Sequence, residues 1–240
     1  METTLDTIRD IKLYQPKRGY RFSLDALLLF SFVNLKRVSK IADLGAGSGV
    51  VGLLLSKRYP NSHVTLIELQ EGLYKLAEKN ISINGLEERV TAVKEDIRTL
   101  AKTVPSTHYD LIVSNPPFRK PLTGLISEEK ERAVARHEIN LKLHELLSAA
   151  SSLLRHHGRF CLIHLPERLA ELIERLRASD MEPKRMRFVH SKKSTEAKMV
   201  LVEAVKGARA GLEVEPPLFI YDERGSYTGE LRKIFGQIPA

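Results

Sequence analysis

Ser114-Asn115-Pro116-Pro117-Phe118 sets a carboxamide, two prolines and an aromatic ring in consecutive positions. Proline locks its own φ and pushes the residue before it into extended geometry, so the Asn115 side chain and the Pro116 carbonyl are held in one direction. Two fixed acceptors beside a flat ring suit a planar nitrogen that carries two N–H bonds. Such a nitrogen, an amide or an exocyclic amine, is a poor nucleophile because its lone pair is delocalised. If both acceptors take its N–H bonds, the lone pair turns out of conjugation toward an electrophile, while Phe118 stacks on the planar group. The proton becomes acidic once the nitrogen has attacked, so no strong base is needed. Alignment is then the main contribution, worth at most roughly 7–11 kcal/mol. Asn-Pro alone is also a common turn dipeptide, and the chemistry gains weight only from the residues around it.

A second constellation precedes it. In Asp43-Leu44-Gly45-Ala46-Gly47-Ser48-Gly49 the three glycines alternate where a strand should hand over to a helix. Glycine is needed where backbone and ligand approach closely and where φ must be positive. Gly47, Gly49 and Gly52 also satisfy the dinucleotide pattern, and Glu68 lies at nearly the spacing of a ribose-binding acid, so the glycines alone leave the cofactor open. Asp43 breaks the tie. At that strand end it would repel a pyrophosphate and attract a cation, and S-adenosylmethionine carries a sulfonium and an ammonium but no phosphate. Glu68, ending the next strand, can accept both ribose hydroxyls. Asp96 after the third strand can accept from an adenine amine while Ile97 packs on the ring. Acids at successive strand ends face one crevice outside the carboxyl edge of a sheet. Taken singly, Asp96 fits a helix N-cap equally well.

Positioning these groups requires an α/β sheet. Strand-length apolar runs alternate with segments of helical period: strands over Lys40 to Leu44, Val64 to Glu68, Val90 to Val93, Asp110 to Ser114 and Arg159 to Leu165. Helices are expected after the glycine turn through Tyr59, from Glu71 to a stop at Asn84-Gly85, over Asn140 to Leu154, and from Pro166 through Ala178. Arg185 to Val189 and Met199 to Val205 read as a closing antiparallel hairpin, because the loop between them is too short for a crossover. The expected fold is therefore α/β, a mostly parallel seven-stranded sheet with helices on both faces and an antiparallel C-terminal hairpin. The chain is read as one domain, with 1–39 as a leading segment, 40–206 as the core, and 207–240 as an irregular tail with one short helix over Glu230 to Phe235.

With 240 residues, 42% of them hydrophobic and 28% charged, the composition is that of a globular protein able to bury a core without disulfides. The single cysteine, Cys161, excludes a disulfide framework and a cysteine-rich zinc site and suits a reducing, cytoplasmic compartment. His108, His144, His156, His157 and His164 show no metal-ligand spacing. No signal peptide or membrane anchor is read in the polar N-terminus. The net charge of +8 is uneven: Met181 to Ala210 carries eight basic against three acidic residues, and Met1 to Lys40 eight against four. These two segments either form one phosphate-binding face or are two ordinary solvated surfaces.

Through Asp43, Gly45, Gly47, Gly49, Glu68, Asp96 and Asn115 to Phe118 the chain resembles the class I S-adenosylmethionine-dependent methyltransferases of Rossmann-like fold, and among them the amino-methyltransferases with an N-P-P-F/Y motif. Gln15 to Asp25, Ala135-Arg136-His137-Glu138 and the stretch from Lys192 to Ala204 are similar to the bacterial tRNA(Val) adenine-N6 methyltransferases. The resemblance implies that Phe22, Ser23 and Asp25 cover the cofactor, that Asn115 also borders it, and that Arg136 and His137 lie near the target base. Read from the residues alone, Phe22 and its neighbours are equally the apolar face of an N-terminal helix capped by Ser23. RNA, most naturally tRNA, is the implied partner, with Lys17, Arg18, Lys192, Lys193 and Lys198 on its phosphates.

Three other readings compete. A protein-glutamine methyltransferase has the same chemistry but usually carries a helical N-terminal domain, for which about 39 residues leave little room. A guanine-N2 methyltransferase of ribosomal RNA is commonly a duplicated-domain protein. A non-catalytic RNA-binding module has no need of Asp43, Glu68 and Asn115.

Overall fold

A computed structural model of the protein describes residues 2–17, 24–103, 109–116 and 142–236. In chain order the elements are β1 (Thr3–Ile8), β2 (Ile11–Pro16), α1 (Leu24–Phe32), β3 (Lys40–Leu44), α2 (Val50–Arg58), β4 (His63–Glu68), α3 (Glu71–Ile83), β5 (Val90–Lys94), α4 (Ile97–Thr103) and β6 (Tyr109–Ser114). After them come α5 (Leu143–Leu153), β7 (Leu154–His164), a short 3-10 turn, α6 (Leu169–Ala178), β8 (Met181–His190), β9 (Ala197–Lys206), β10 (Glu213–Phe219) and α7 (Gly229–Ile234).

Eight strands form one sheet in the order β10-β8-β9-β7-β6-β3-β4-β5. Neighbours are parallel except where β9 lies antiparallel to both β7 and β8. Alternation along each strand feeds two cores. Ile41, Val64, Leu66, Leu111, Val113 and Ile163 pack under α1, α2 and α3, while Ala42, Leu44, Ile67, Ile112, Phe160 and Leu162 pack under α5 and α6. From β3 the chain runs outward through β4 and β5, then returns to β6 on the other side of β3. The carboxyl ends of β3 and β6 therefore flank a topological switch point, where a ligand-binding crevice opens in open α/β sheets.

All seven expected strands are present, and an eighth, β10, adds to the edge beside β8 within what the sequence suggested was an irregular tail. Pro216 and Pro217 hid it. They fall at the register shift between Glu215 and Leu218, where an edge strand tolerates residues without N–H groups. The leading segment also holds structure not read from sequence, the β1-β2 hairpin. Its turn, Arg9-Asp10, contains no glycine or asparagine, and Arg9 itself takes the positive φ of 50°. The helix expected over Asn140 to Leu154 is α5, and Leu154 already pairs with Tyr109 in β7 ahead of a register shift. The short tail helix is present as α7.

Gly52 shows how tightly α2 is laid on the sheet, since a Cβ there would strike the Leu66 side chain on β4. Gly52→Ala should cost about 1–3 kcal/mol of stability through overpacking. Urea unfolding checks this, with a lowered midpoint at unchanged slope expected.

Candidate active site

The registry of β3 against β6 pairs Asp43 with Val113, so Asn115 projects from the end of β6 just beyond the level of Asp43. The two ends are tied together, because the Ser114 hydroxyl donates to the Leu44 carbonyl at 2.8 Å in a buried position. Asn115 and Pro116 are half-buried at this edge. Pro117 and Phe118 lie outside the described residues, as do Arg18, Phe22, Ser23, Arg136 and His137.

The glycine turn leaves β3 with φ of 72° at Gly45, 59° at Gly47 and 88° at Gly49. These are left-handed values that side chains penalise. A Cβ on Gly45 would meet nothing within 4 Å, which leaves the room a close-approaching ligand needs. The Gly45 and Ala46 N–H groups both donate to the Ile67 carbonyl, at 2.9 and 3.0 Å, and so anchor the turn to β4.

Asp43 is 2% exposed, and its Oδ2 accepts from the Gly52 N–H at 2.9 Å. Burial pushes its carboxyl up to about 7, opposed by the Gly52 hydrogen bond and reinforced by the charge of Glu68. A buried acid held this close to neutral is one that a nearby cation would return to its ionised form. Glu68 ends β4 beside it, accepting from Gly47 N–H at 2.9 Å through Oε2 and from Gln70 N–H at 2.8 Å through Oε1. Each carboxylate oxygen has two lone pairs, so both can still accept a hydroxyl. These donor and acceptor types fit S-adenosylmethionine: two acids for a cation and a ribose, and glycines that admit close contact.

Asp96 stands one strand further out, at the start of α4, where it accepts from the Arg98 N–H at 2.9 Å and pairs with the Arg98 guanidinium. That ion pair holds its carboxyl below the usual range. The helix-capping role is thus occupied, and an adenine amine would share this carboxylate with Arg98. Ile97 is buried in the second core. Asp25 lies half-buried in the first turn of α1.

Lys192 and Lys193 are exposed in the loop joining β8 to β9, and Lys198 is exposed just inside β9. Since β8 and β7 are both antiparallel to β9, that loop emerges at the same sheet edge as Leu44, Glu68 and Asn115. Other cations of the basic segment are tied up internally: Arg185 with Glu203 and Glu215, Arg187 with Glu230, and Lys206 with the Ser151 and Leu154 carbonyls. Lys17 forms an exposed ion pair with Glu2 at 3.2 Å, a contact worth little in water. A cleft elsewhere, between the end of α1 and strands β8 to β10, is lined by Arg58 and Arg185, which donate to carbonyls at the end of α1. It lies away from the residues of the switch point.

Sequence reasoning missed Asn80, a fully buried polar residue within the apolar stripe of α3. The signal was available as an asparagine between Ala77 and Ile81, which both face the core. It also missed Ser114 as the clasp between the two strand ends.

Residues 23–176 match the family model described as "Methyltransferase small domain". The chain belongs to this family. The methyltransferase is 28% identical over 82% of its length to the tRNA1(Val) (adenine(37)-N6)-methyltransferase of Tolumonas auensis, covering 81% of that protein. It is 30% identical over 72% of its length to the protein of the same name from Porphyromonas gingivalis W83, covering 69% of it. Among solved structures it superposes with a TM-score of 0.70 and 24% identity on one titled a "predicted O-methyltransferase" from Agrobacterium tumefaciens, over 89% of this chain and 96% of that one. That likeness shows a shared methyltransferase fold. The methyltransferase uses S-adenosylmethionine as its methyl donor. No helix among the described residues is long and apolar enough to cross a membrane.

Proposed function

We propose that this methyltransferase methylates N6 of an adenine in tRNA. The observation that carries the reading is the position of Asn115 at the switch point, tied by Ser114 to the strand that bears Asp43 and the glycine turn. The names of the relatives point to the same substrate.

In this reading Asp43, Gly45, Gly47, Gly49 and Glu68 hold the cofactor, with Asp96 and Ile97 on its adenine side and Phe22, Ser23 and Asp25 covering it. S-adenosylmethionine supplies an electrophilic methyl with a good leaving group. The chain's own residues do the rest. Asn115 Oδ1 and the Pro116 carbonyl accept the two N–H bonds of the target amine and aim its lone pair, Pro117 stiffens the turn, and Phe118 stacks on the base. The target adenine has to leave its stack to reach them. Because the surroundings of Asp43 favour a cation, the exposed lysines are better assigned to RNA phosphates than to the cofactor. The chain acts as one catalytic domain, in the cytoplasm.

Lys192, Lys193 and Lys198 replaced together by Ala should weaken tRNA binding and flatten its dependence on salt. Each phosphate contact contributes about 0.7–0.9 to the slope of log K against log salt, so a decrease of about 2 is expected. An unchanged slope would return the loop to an ordinary solvated surface. The substrate class itself is tested by offering labelled S-adenosylmethionine with unmodified tRNA, rRNA and protein fractions. Label in the tRNA fraction is expected, and label in rRNA or protein alone would refute the proposal.

A further inference from the structure

Asn80 in helix α3 and Asn84, which caps the C-terminus of that helix, stand one turn apart, and both carboxamides meet the backbone of β2. Asn80 Oδ1 accepts from the Tyr14 N–H at 2.6 Å, and its Nδ2 donates to the Tyr14 carbonyl at 3.0 Å. Asn84 repeats the pattern on Lys12, accepting its N–H at 2.9 Å and donating to its carbonyl at 2.7 Å. The match is geometric. Four residues of helix rise about 6 Å, close to the roughly 6.8 Å between alternate residues of a strand, so two asparagines stand in for a neighbouring strand.

Asn80 has one further N–H to donate, and it goes to the Ser48 carbonyl at 2.9 Å. Ser48 is 3% exposed and lies between Gly47 and Gly49. Besides its backbone bonds to β4, the glycine turn is therefore held by two side chains: Glu68 holds the Gly47 N–H, and Asn80 holds the Ser48 carbonyl. Asn80 itself is fully buried with both its N–H bonds and its oxygen engaged. The same carboxamide thus bridges the turn and the hairpin.

We propose that Asn80 is a positioning residue that couples docking of the β1-β2 hairpin to cofactor binding at the glycine turn. This rests on the assignment of that turn to S-adenosylmethionine. Losing the Asn80 donor frees the Ser48 carbonyl, so the turn must be ordered anew when the cofactor binds. Coupling is reciprocal, so the bound cofactor in turn steadies Tyr14, the residue at the other end of the bridge.

Hydrogen exchange on the full chain and calorimetric titration with S-adenosylmethionine test it together. In the wild type, saturating cofactor should slow exchange of the Tyr14 amide about fivefold or more. Asn80→Ala should weaken cofactor affinity about tenfold and abolish that protection, while kcat at saturating cofactor stays within about threefold. Asn80→Asp, which keeps an acceptor but loses the donors, should retain the Tyr14 amide bond in the free protein yet lose affinity like Asn80→Ala. Asn84→Ala should speed exchange at Lys12 and leave cofactor affinity near normal. The proposal is overturned if cofactor leaves Tyr14 exchange unchanged in the wild type, or if Asn80→Asp binds cofactor as the wild type does. Asp43→Asn separates the two readings. Normal cofactor binding by that variant would refute the assignment of the turn itself, whereas weak binding alongside normal Asn80 variants would refute the coupling alone.

Discussion

Asn115→Ala should lower kcat about 100- to 1,000-fold, the range found when one preorganised polar group is removed from a developing charge, while cofactor affinity changes by less than about threefold. The asymmetry follows from what Asn115 touches. It sits at the end of β6, held at the level of the glycine turn by the registry with β3 and by the bond from Ser114 to Leu44. The proposed cofactor contacts that carry charge belong to Asp43 and Glu68 on β3 and β4. Removing the carboxamide leaves those intact and takes away one of two acceptors that orient the amine. Asn115→Asp keeps an acceptor in the same place and should recover part of the lost rate. Single-turnover methyl transfer with titrated cofactor separates the two effects, and wild-type turnover by Asn115→Ala would remove Asn115 from the chemistry.

Asp43→Asn should weaken S-adenosylmethionine binding about 100-fold, in the range for truncating one partner of a buried charge pair, yet make the cofactor-free protein more stable at pH 8. Both effects come from the same burial. The folded-state carboxyl titrates near 7 rather than at its usual 3.8. Between those values the native chain holds a proton that the unfolded chain has released, so stability falls as pH rises through this window and the full penalty stands above it. At about 1.4 kcal/mol per unit, the amide should recover roughly 2–4 kcal/mol at pH 8 and almost nothing near pH 4. Thermal unfolding at the two pH values checks this. Cofactor affinity runs the other way. A cation needs the ionised acid, so wild-type affinity should fall about tenfold per pH unit below 7, levelling off after about 100-fold once the acid is protonated in the complex as well, and in Asp43→Asn that dependence should vanish.

The core of the fold could be read from sequence because its signals are strong and local. β3 and β6 are short apolar runs bounded by turn residues, and the side chains of the glycine turn and the Asn115 motif follow directly from their ends. Where a residue's job depended on a distant partner, the sequence was silent. Asp96 differs in being local: its carboxylate pairs with Arg98 two residues on, and an adenine amine would share it. Arg185 and Arg187 counted toward a basic face, yet they serve Glu203, Glu215 and Glu230 inside the sheet's own architecture. Pro216 and Pro217 concealed an edge strand, and Asn80 was passed over because helical periodicity records which face is buried but not what a buried amide holds.

The most direct measurement is the identity of the methylated nucleoside. Unmodified tRNA is incubated with the enzyme and labelled S-adenosylmethionine, digested to nucleosides and separated by mass spectrometry, with Asn115→Ala run in parallel. N6-methyladenosine is expected from the wild type, and from the variant the same nucleoside formed about 100- to 1,000-fold more slowly. Label in N2-methylguanosine, or no label in the tRNA at all, would contradict the adenine-N6 assignment.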